Sequence, residues 1–268
     1  MSLVCKLAAA VVAIAAAGGV AAGTTVRPPL RVCADPNNLP FSNAREQGFE
    51  NKIAALLARD MGRPLAYFWS PQRRGFVRTT LNAQLCDVVI GVPANFGPLQ
   101  TTRPYYRSAY AFVSRRDRAL HIRSFDDARL KTLTIGIQIT GEDYANPPAA
   151  QALAARHLVQ NVRGYTVYGD YSKSDPQREV VDAVVDGRVD VAVVWGPLAG
   201  YYARTATSAL DVATVRPGGR DSSLPFAFDI AMGVRRNDTG LRDALDAVVV
   251  HRGSEIRRIL KSYGVPLL

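Results

Sequence analysis

One pattern occurs twice in this chain and limits what it can become. Cys86-Asp-Val-Val-Ile-Gly-Val-Pro93 and Val189-Asp-Val-Ala-Val-Val-Trp-Gly-Pro197 each place an aspartate before an apolar run that ends in glycine and proline. Runs without polar alternation read as strands covered on both faces, as in parallel sheets layered between helices. The approach to each run is similar. Before the first come a strand from Leu30 to Ala34, a helix with apolar positions Phe49, Ile53, Leu56, Leu57 and Met61, a strand from Leu65 to Trp69, and a helix carrying Val77, Leu81 and Leu85. Before the second come a strand from Leu133 to Ile137, a helix from Ala149 to Arg156, a strand from Tyr165 to Tyr168, and a helix from Pro176 to Asp186. Pro176 suits a first helical turn capped by Ser174 or Asp175. The alternation predicts an α/β protein with mostly parallel sheets in two lobes of similar build. Tyr105 to Val113 is strand-like and leads to the second lobe, and Phe226 to Val234 reads as a strand returning to the first. Two crossings make a hinge, and helices around Leu241 to Val250 and Ile256 to Leu260 are expected to pack on the first lobe.

Residues 1–22 read as a secretory signal, in which Lys6 precedes an apolar run from Leu7 to Ala17 and a small-residue tail ending at Ala22. No later segment approaches the roughly 20 continuous apolar residues of a spanning helix. Export would remove Cys5 and leave Cys33 and Cys86. Two thiols in an oxidising compartment point to one disulfide, the alternative being two buried small apolar residues. The formal net charge of +10, in an exported protein, points to anionic small molecules or acidic protein surfaces and away from nucleic acid. His121, His157 and His251 have no carboxylate or cysteine at ligand spacing, which argues against a metal site. No grouped nucleophile, base and orienting residue is recognisable, and no glycine loop could cradle a phosphate, so neither catalysis nor a cofactor is expected.

Cys33-Ala-Asp-Pro-Asn-Asn-Leu-Pro-Phe41 is a polar, proline-punctuated loop at a strand's carboxyl end, where open α/β sheets hold ligands. It is followed in order by Gly48-Phe-Glu-Asn-Lys52, Pro71-Gln-Arg-Arg-Gly-Phe-Val-Arg78, Thr101-Thr-Arg-Pro-Tyr-Tyr-Arg107, Val167-Tyr-Gly-Asp-Tyr171 and Val194-Trp-Gly-Pro-Leu-Ala-Gly200. With these six motifs the chain resembles the J proteins of methanol dehydrogenase clusters (MxaJ and XoxJ type), solute-binding-like proteins on the periplasmic solute-binding protein family 3 fold. The likeness covers nearly all of residues 30–268. It implies a two-lobed α/β clamshell (type II), each lobe a mixed, mostly parallel sheet flanked by helices. Lobe one would comprise residues 30–114 and 228–268, and lobe two residues 115–227. The resemblance also implies a non-enzymatic periplasmic protein that assists maturation, activation or docking of a PQQ-dependent methanol or alcohol dehydrogenase, with its cytochrome c as a further partner.

The chain departs from amino-acid receptors of the same fold. Those carry a Thr-x-Glu-Arg segment whose arginine clamps the ligand carboxylate, whereas the matching stretch here, Pro93-Ala-Asn-Phe-Gly-Pro-Leu-Gln100, has no arginine. Trp195 stands where they place an aspartate for the ligand ammonium. A zwitterion in a closed cleft needs both charges met, so a free amino acid is an unsuitable guest.

The candidate ligand or partner cleft comprises Asp35, Asn37, Asn38, Phe41, Trp69, Arg73, Arg74, Arg103, Tyr168, Asp170, Tyr171 and Trp195. Asp35, Asn37 and Asn38 offer hydrogen bonds to a guest or build the turn between two prolines. Phe41, Trp69, Tyr168 and Tyr171 give an aromatic lining, Trp69 being equally readable as core. Arg73, Arg74 and Arg78 at a helix start oppose its dipole and call for an anionic partner, a solvated face, or a pair with Asp87 or Glu50. Asp170 accepts from a ligand or shapes a turn. In Trp195-Gly-Pro the glycine and proline are read as a turn that projects the indole into the cleft. A transport receptor for a small polar or anionic solute is the alternative function. An enzyme descended from the fold would need Glu50 or Asp170 as its acid or base.

Overall fold

The two repeated runs become equivalent strands. The computed structural model describes residues 27–139, 147–166, 171–218, 221 and 223–268. The first half runs β1 (Leu30–Ala34), the short pair β2 (Asn37–Asn38) and β3 (Ser42–Asn43), α1 (Phe49–Asp60), β4 (Leu65–Trp69), α2 (Phe76–Thr79), β5 (Val88–Pro93), β6 (Gln100–Thr101) and β7 (Tyr106–Arg115). The second half continues with β8 (Ile135–Ile139), α3 (Pro148–Ala154), β9 (Val162–Thr166), α4 (Glu179–Val185), β10 (Val191–Trp195), α5 (Gly196–Thr205), β11 (Leu210–Thr214), β12 (Ala227–Val234) and α6 (Thr239–Ser262).

β5 lies between parallel β1 and antiparallel β12, as β10 lies between parallel β8 and antiparallel β7. β4 and β9 extend the parallel sides. Residues 106–109 of β7 pair with β12, while residues 110–115 pair with β10 and β11, so β7 stitches the two half-sheets together. The two aspartates play matching parts. Asp87 Oδ2 accepts from the Arg31 backbone N–H (3.3 Å) and Asp190 Oδ2 from that of Thr134 (2.8 Å), each tying its strand to the start of the parallel neighbour.

The runs are apolar because both strand faces are covered. Val88 and Ile90 of β5 pack with Phe49, Ile53 and Leu57 of α1 and with Leu245 and Leu260 of α6, while Val89 and Val92 face Phe76 and Leu81. Val191 and Val193 of β10 face Phe125 and Leu153, and Ala192 and Val194 face Val180 and Tyr202. Each large apolar side chain so buried contributes about 1.5–3 kcal/mol. Cys33 and Cys86 are joined in a disulfide with a Cα–Cα distance of 5.4 Å, inside the cluster that holds Phe76 and Leu81.

Several elements differ from the sequence reading. The helix expected through Leu85 stops at Thr79. The Thr80 hydroxyl bonds back to the Phe76 carbonyl (2.7 Å), the chain turns, and Leu85 is exposed while Leu81 is buried. The two closing helices are one, running through Gly253. A Cβ there would meet nothing within 4 Å, so Gly253→Ala is expected to raise stability by about 0.5–1 kcal/mol in urea denaturation. Pro176 opens a 3₁₀ turn before α4, and Asp175 stands at its cap position without a capping bond. The supposed turn after Trp195 is the first turn of α5, with Pro197 in it, and β11 was not anticipated. The expected signal segment lies outside the described residues.

Candidate functional site

The segment Gly48-Phe-Glu-Asn51 folds the first loop onto the start of α1. A Cβ at Gly48 would lie 1.9 Å from the Phe41 carbonyl oxygen, so only glycine lets the loop come this close. The Pro40 and Phe41 carbonyls accept from the Phe49 and Glu50 N–H groups (2.8 and 2.9 Å), satisfying helix-start donors that otherwise lack partners. Asn51 Oδ1 accepts from the Gly48 N–H (3.0 Å) and the Asn43 N–H (3.1 Å), while Phe49 is fully buried. Glu50 is left facing the space between the half-sheets. Gly91 opposite it has no side chain to obstruct the carboxylate, since a Cβ there would lie 2.1 Å from Oε1.

That space is a cavity of about 430 Å³. Asp35, Asn38, Phe41, Glu50 and Gln72 line it from the first half of the chain, and Gln138, Tyr171, Gln177, Trp195 and Leu198 from the second. Tyr106 and Tyr110 of β7, with Phe228 and Ile230 of β12, form the wall where the halves meet. Tyr110 and Phe228 each meet the Trp195 indole edge to face, with ring centroids 5.5 and 5.8 Å away. Burial pushes the Tyr110 hydroxyl up to about 12 and that of Tyr106 well above its ordinary value, so both remain neutral. Gln138 Nε2 donates to Gln177 Oε1 (3.0 Å) across the floor from β8.

Side chains of the protein itself bridge the mouth. Asp35 is buried; its Oδ1 accepts from the Asn37 N–H (2.8 Å), and its Oδ2 from the Gln72 N–H (2.6 Å) and the Tyr171 hydroxyl. Asn37 Nδ2 donates to the Lys173 carbonyl (2.8 Å), while the Tyr202 hydroxyl gives its one proton to Asp175 Oδ1 (2.5 Å) and lies 2.9 Å from the Leu39 carbonyl. The Arg73 guanidinium lies 5.1 Å from the Tyr171 ring centroid. Tyr171→Phe removes a donor from a buried carboxylate and is expected to cost about 1.5–3 kcal/mol by chemical denaturation. In small-angle scattering the same variant should show a larger radius of gyration.

The predicted residues therefore separate into groups. Asp35, Asn38, Phe41, Tyr171 and Trp195 line the cavity, and Asn37 sits at its mouth. Trp69 instead stacks on Tyr67 at 4.5 Å against the first core. Arg73 and Arg74 line an outer groove beside α2, a single helical turn with little dipole to oppose. Asp87, offered as their partner, is paired with Arg31 (2.6 Å) and Arg235 (3.1 Å). Arg103 is held by Asp246 of α6, its N–H donating over 2.7 Å, and does not reach the cavity. Tyr168 and Asp170 lie outside the described residues. Gln138, Gln177, Tyr106, Tyr110 and Phe228 were missed. Only Gln138 carried a legible signal, as a lone polar residue inside the apolar run Ile135-Gly-Ile-Gln-Ile139.

Burial, with the Asp35 charge as a second cause, pushes the Glu50 carboxyl up to about 8. In the unfolded chain a glutamate titrates near 4.3. The proton is thus bound more tightly in the fold, and this stabilisation is full below about 4.3 and is lost as pH rises through about 8. Glu50→Gln keeps the neutral form, so its denaturation midpoint should gain steadily on that of the unmodified protein between pH 5 and pH 8. Parallel midpoint curves would contradict the assignment.

Two half-sheets joined by crossing strands, with a cavity between them, define the fold of a periplasmic binding protein. No family model matches the chain. Over 246 residues it is 35% identical to Protein MoxJ from Methylorubrum extorquens AM1, a match covering 89% of this chain and 81% of that protein. The chain belongs to the MoxJ family. The crystal structure of periplasmic binding protein XoxJ from Methylobacterium extorquens AM1 superposes with a TM-score of 0.73 at 35% identity, covering 89% of this chain and 99% of that one. The structure of MxaJ from Methylophaga aminisulfidivorans gives 0.75 at 26% identity, covering 89% and 100%.

Proposed function

We propose that this protein works in the periplasm beside a PQQ-dependent methanol or related alcohol dehydrogenase, as a non-enzymatic partner in its maturation, activation or docking. Membership of the MoxJ family carries this reading. The site supports it in what it lacks for the usual amino-acid cargo. No Lys, Arg or His among the described residues lines the cavity, and Trp195 contributes an indole where a carboxylate would hold an ammonium. An anionic solute would face the Asp35 carboxylate and the Glu50 carboxyl with no basic side chain among the described lining residues to offset them, which supports a guest other than the anion that net charge suggests. The Cys33–Cys86 disulfide suits an oxidising compartment, and residues 1–22 would be removed on export.

Deleting the gene and measuring dehydrogenase activity and PQQ content in periplasmic extracts tests the role. Activity should fall and return on complementation. A deletion strain with full activity and full cofactor content would refute it.

A further inference from the structure

We propose that the cavity between the half-sheets is a receptor site for a small organic cation, a quaternary or substituted ammonium without a carboxylate of its own. The wall combines three observations. Tyr110, Trp195 and Phe228 form a contiguous aromatic surface, and the negative faces of such rings attract cations, most strongly where water is excluded. Asp35 and Glu50 set two carboxyl groups into the same cavity. Asp35 is satisfied by its three donors, but no described residue donates a hydrogen bond to Glu50, whose carboxylate occupies the room left by Gly91.

A carboxyl so placed has two ways to avoid an uncompensated charge: it keeps a proton, or it meets a cation. The remaining wall selects what that cation is. With no basic side chain among the described lining residues, an anion is repelled and the carboxylate of a zwitterion finds no partner. Arg73, the guanidinium near the mouth, lies over the Tyr171 ring and is not part of the lining. A volume of about 430 Å³ falls within the range of small-molecule sites.

The titratable groups interacting with Glu50 are Asp35 and the phenols of Tyr67, Tyr105 and Tyr106. Burial raises all three phenols, so Glu50 is the group that changes charge near pH 8. A cation of fixed charge should therefore bind more tightly at pH 9 than at pH 7, releasing a proton from Glu50 at the lower pH. This inference concerns a small ligand and does not depend on the dehydrogenase role.

Isothermal titration of the mature protein with choline, tetramethylammonium, acetate and the neutral choline analogue 3,3-dimethyl-1-butanol provides the test. One or both cations should bind with one-to-one stoichiometry. Choline should bind about tenfold or more tightly than its neutral analogue, and acetate should not bind. Trp195→Ala should weaken cation binding about tenfold or more. Glu50→Gln, which keeps the shape of the neutral side chain, should abolish the gain between pH 7 and pH 9. The proposal is overturned if neither cation binds at millimolar concentration at either pH, or if the neutral analogue matches choline. Cation affinity that ignores both Trp195→Ala and Glu50→Gln would place binding elsewhere and overturn it equally.

Discussion

Replacing Asp221 by alanine is expected to destabilise the protein by about 3–5 kcal/mol, the range for removing one partner of a buried ion pair. Arg156 is 6% exposed and Asp221 1%, and they meet through two parallel bonds of 2.7 and 2.8 Å. The guanidinium also donates to Asp126 (3.0 Å) and the Ala152 carbonyl (3.0 Å) and lies 5.8 Å from the Phe125 ring centroid. It thereby fastens the end of α3 to the chain approaching β12. Without Asp221 it stays buried with only half-exposed Asp126 as counter-charge. Urea denaturation gives the value, and a cycle with Arg156→Met tests the cause. The double variant should be more stable than Asp221→Ala alone, because no charge is then stranded.

Loss of the Cys33–Cys86 bridge is expected to cost about 3–4 kcal/mol. The cysteines are 53 residues apart, and closing a loop of that length in the unfolded chain removes entropy worth about 4 kcal/mol. The bridge fixes β1 beside β5, at the base of the loop that carries Asp35 and Phe41. Guanidinium denaturation with and without reductant measures the effect. A Cys33→Ser, Cys86→Ser double variant should match the reduced protein and be indifferent to reductant.

Strands buried on both faces were the most legible part of the fold. β5 and β10 lie within a residue or two of the apolar runs after Asp87 and Asp190, which leave no other way to bury them, and β1 and the partly buried edge strand β4 have the predicted bounds. The break expected in α6 failed for a local reason: a glycine inside a helix weakens it by only about 1 kcal/mol, which packing by Leu245, Val248, Ile256 and Leu260 outweighs. α5 was hidden because Gly196 and Pro197 read as turn formers, although proline is at home in a first helical turn.

The site was less legible than the scaffold. Asp35 meets Gln72 across 37 residues and Tyr171 across 136, separations that no local pattern encodes. Five predicted residues reached the cavity because they sit at strand ends or in the loops after them, where topology gathers side chains. Arg103 had the right chemistry in the wrong place, since its local partner on α6 cannot be seen from the sequence around it.

The bridging of the mouth by Tyr171 and Asn37 bears on signalling. These bonds join groups of the chain itself, so their free energy is available with or without a guest. A guest moves the balance between open and shut only by its preference for one form over the other. Bonds that form without a guest make a bridged mouth, by itself, no sign of occupancy. A permease that recognises closed receptors reads occupancy only to the extent that closure depends on the guest.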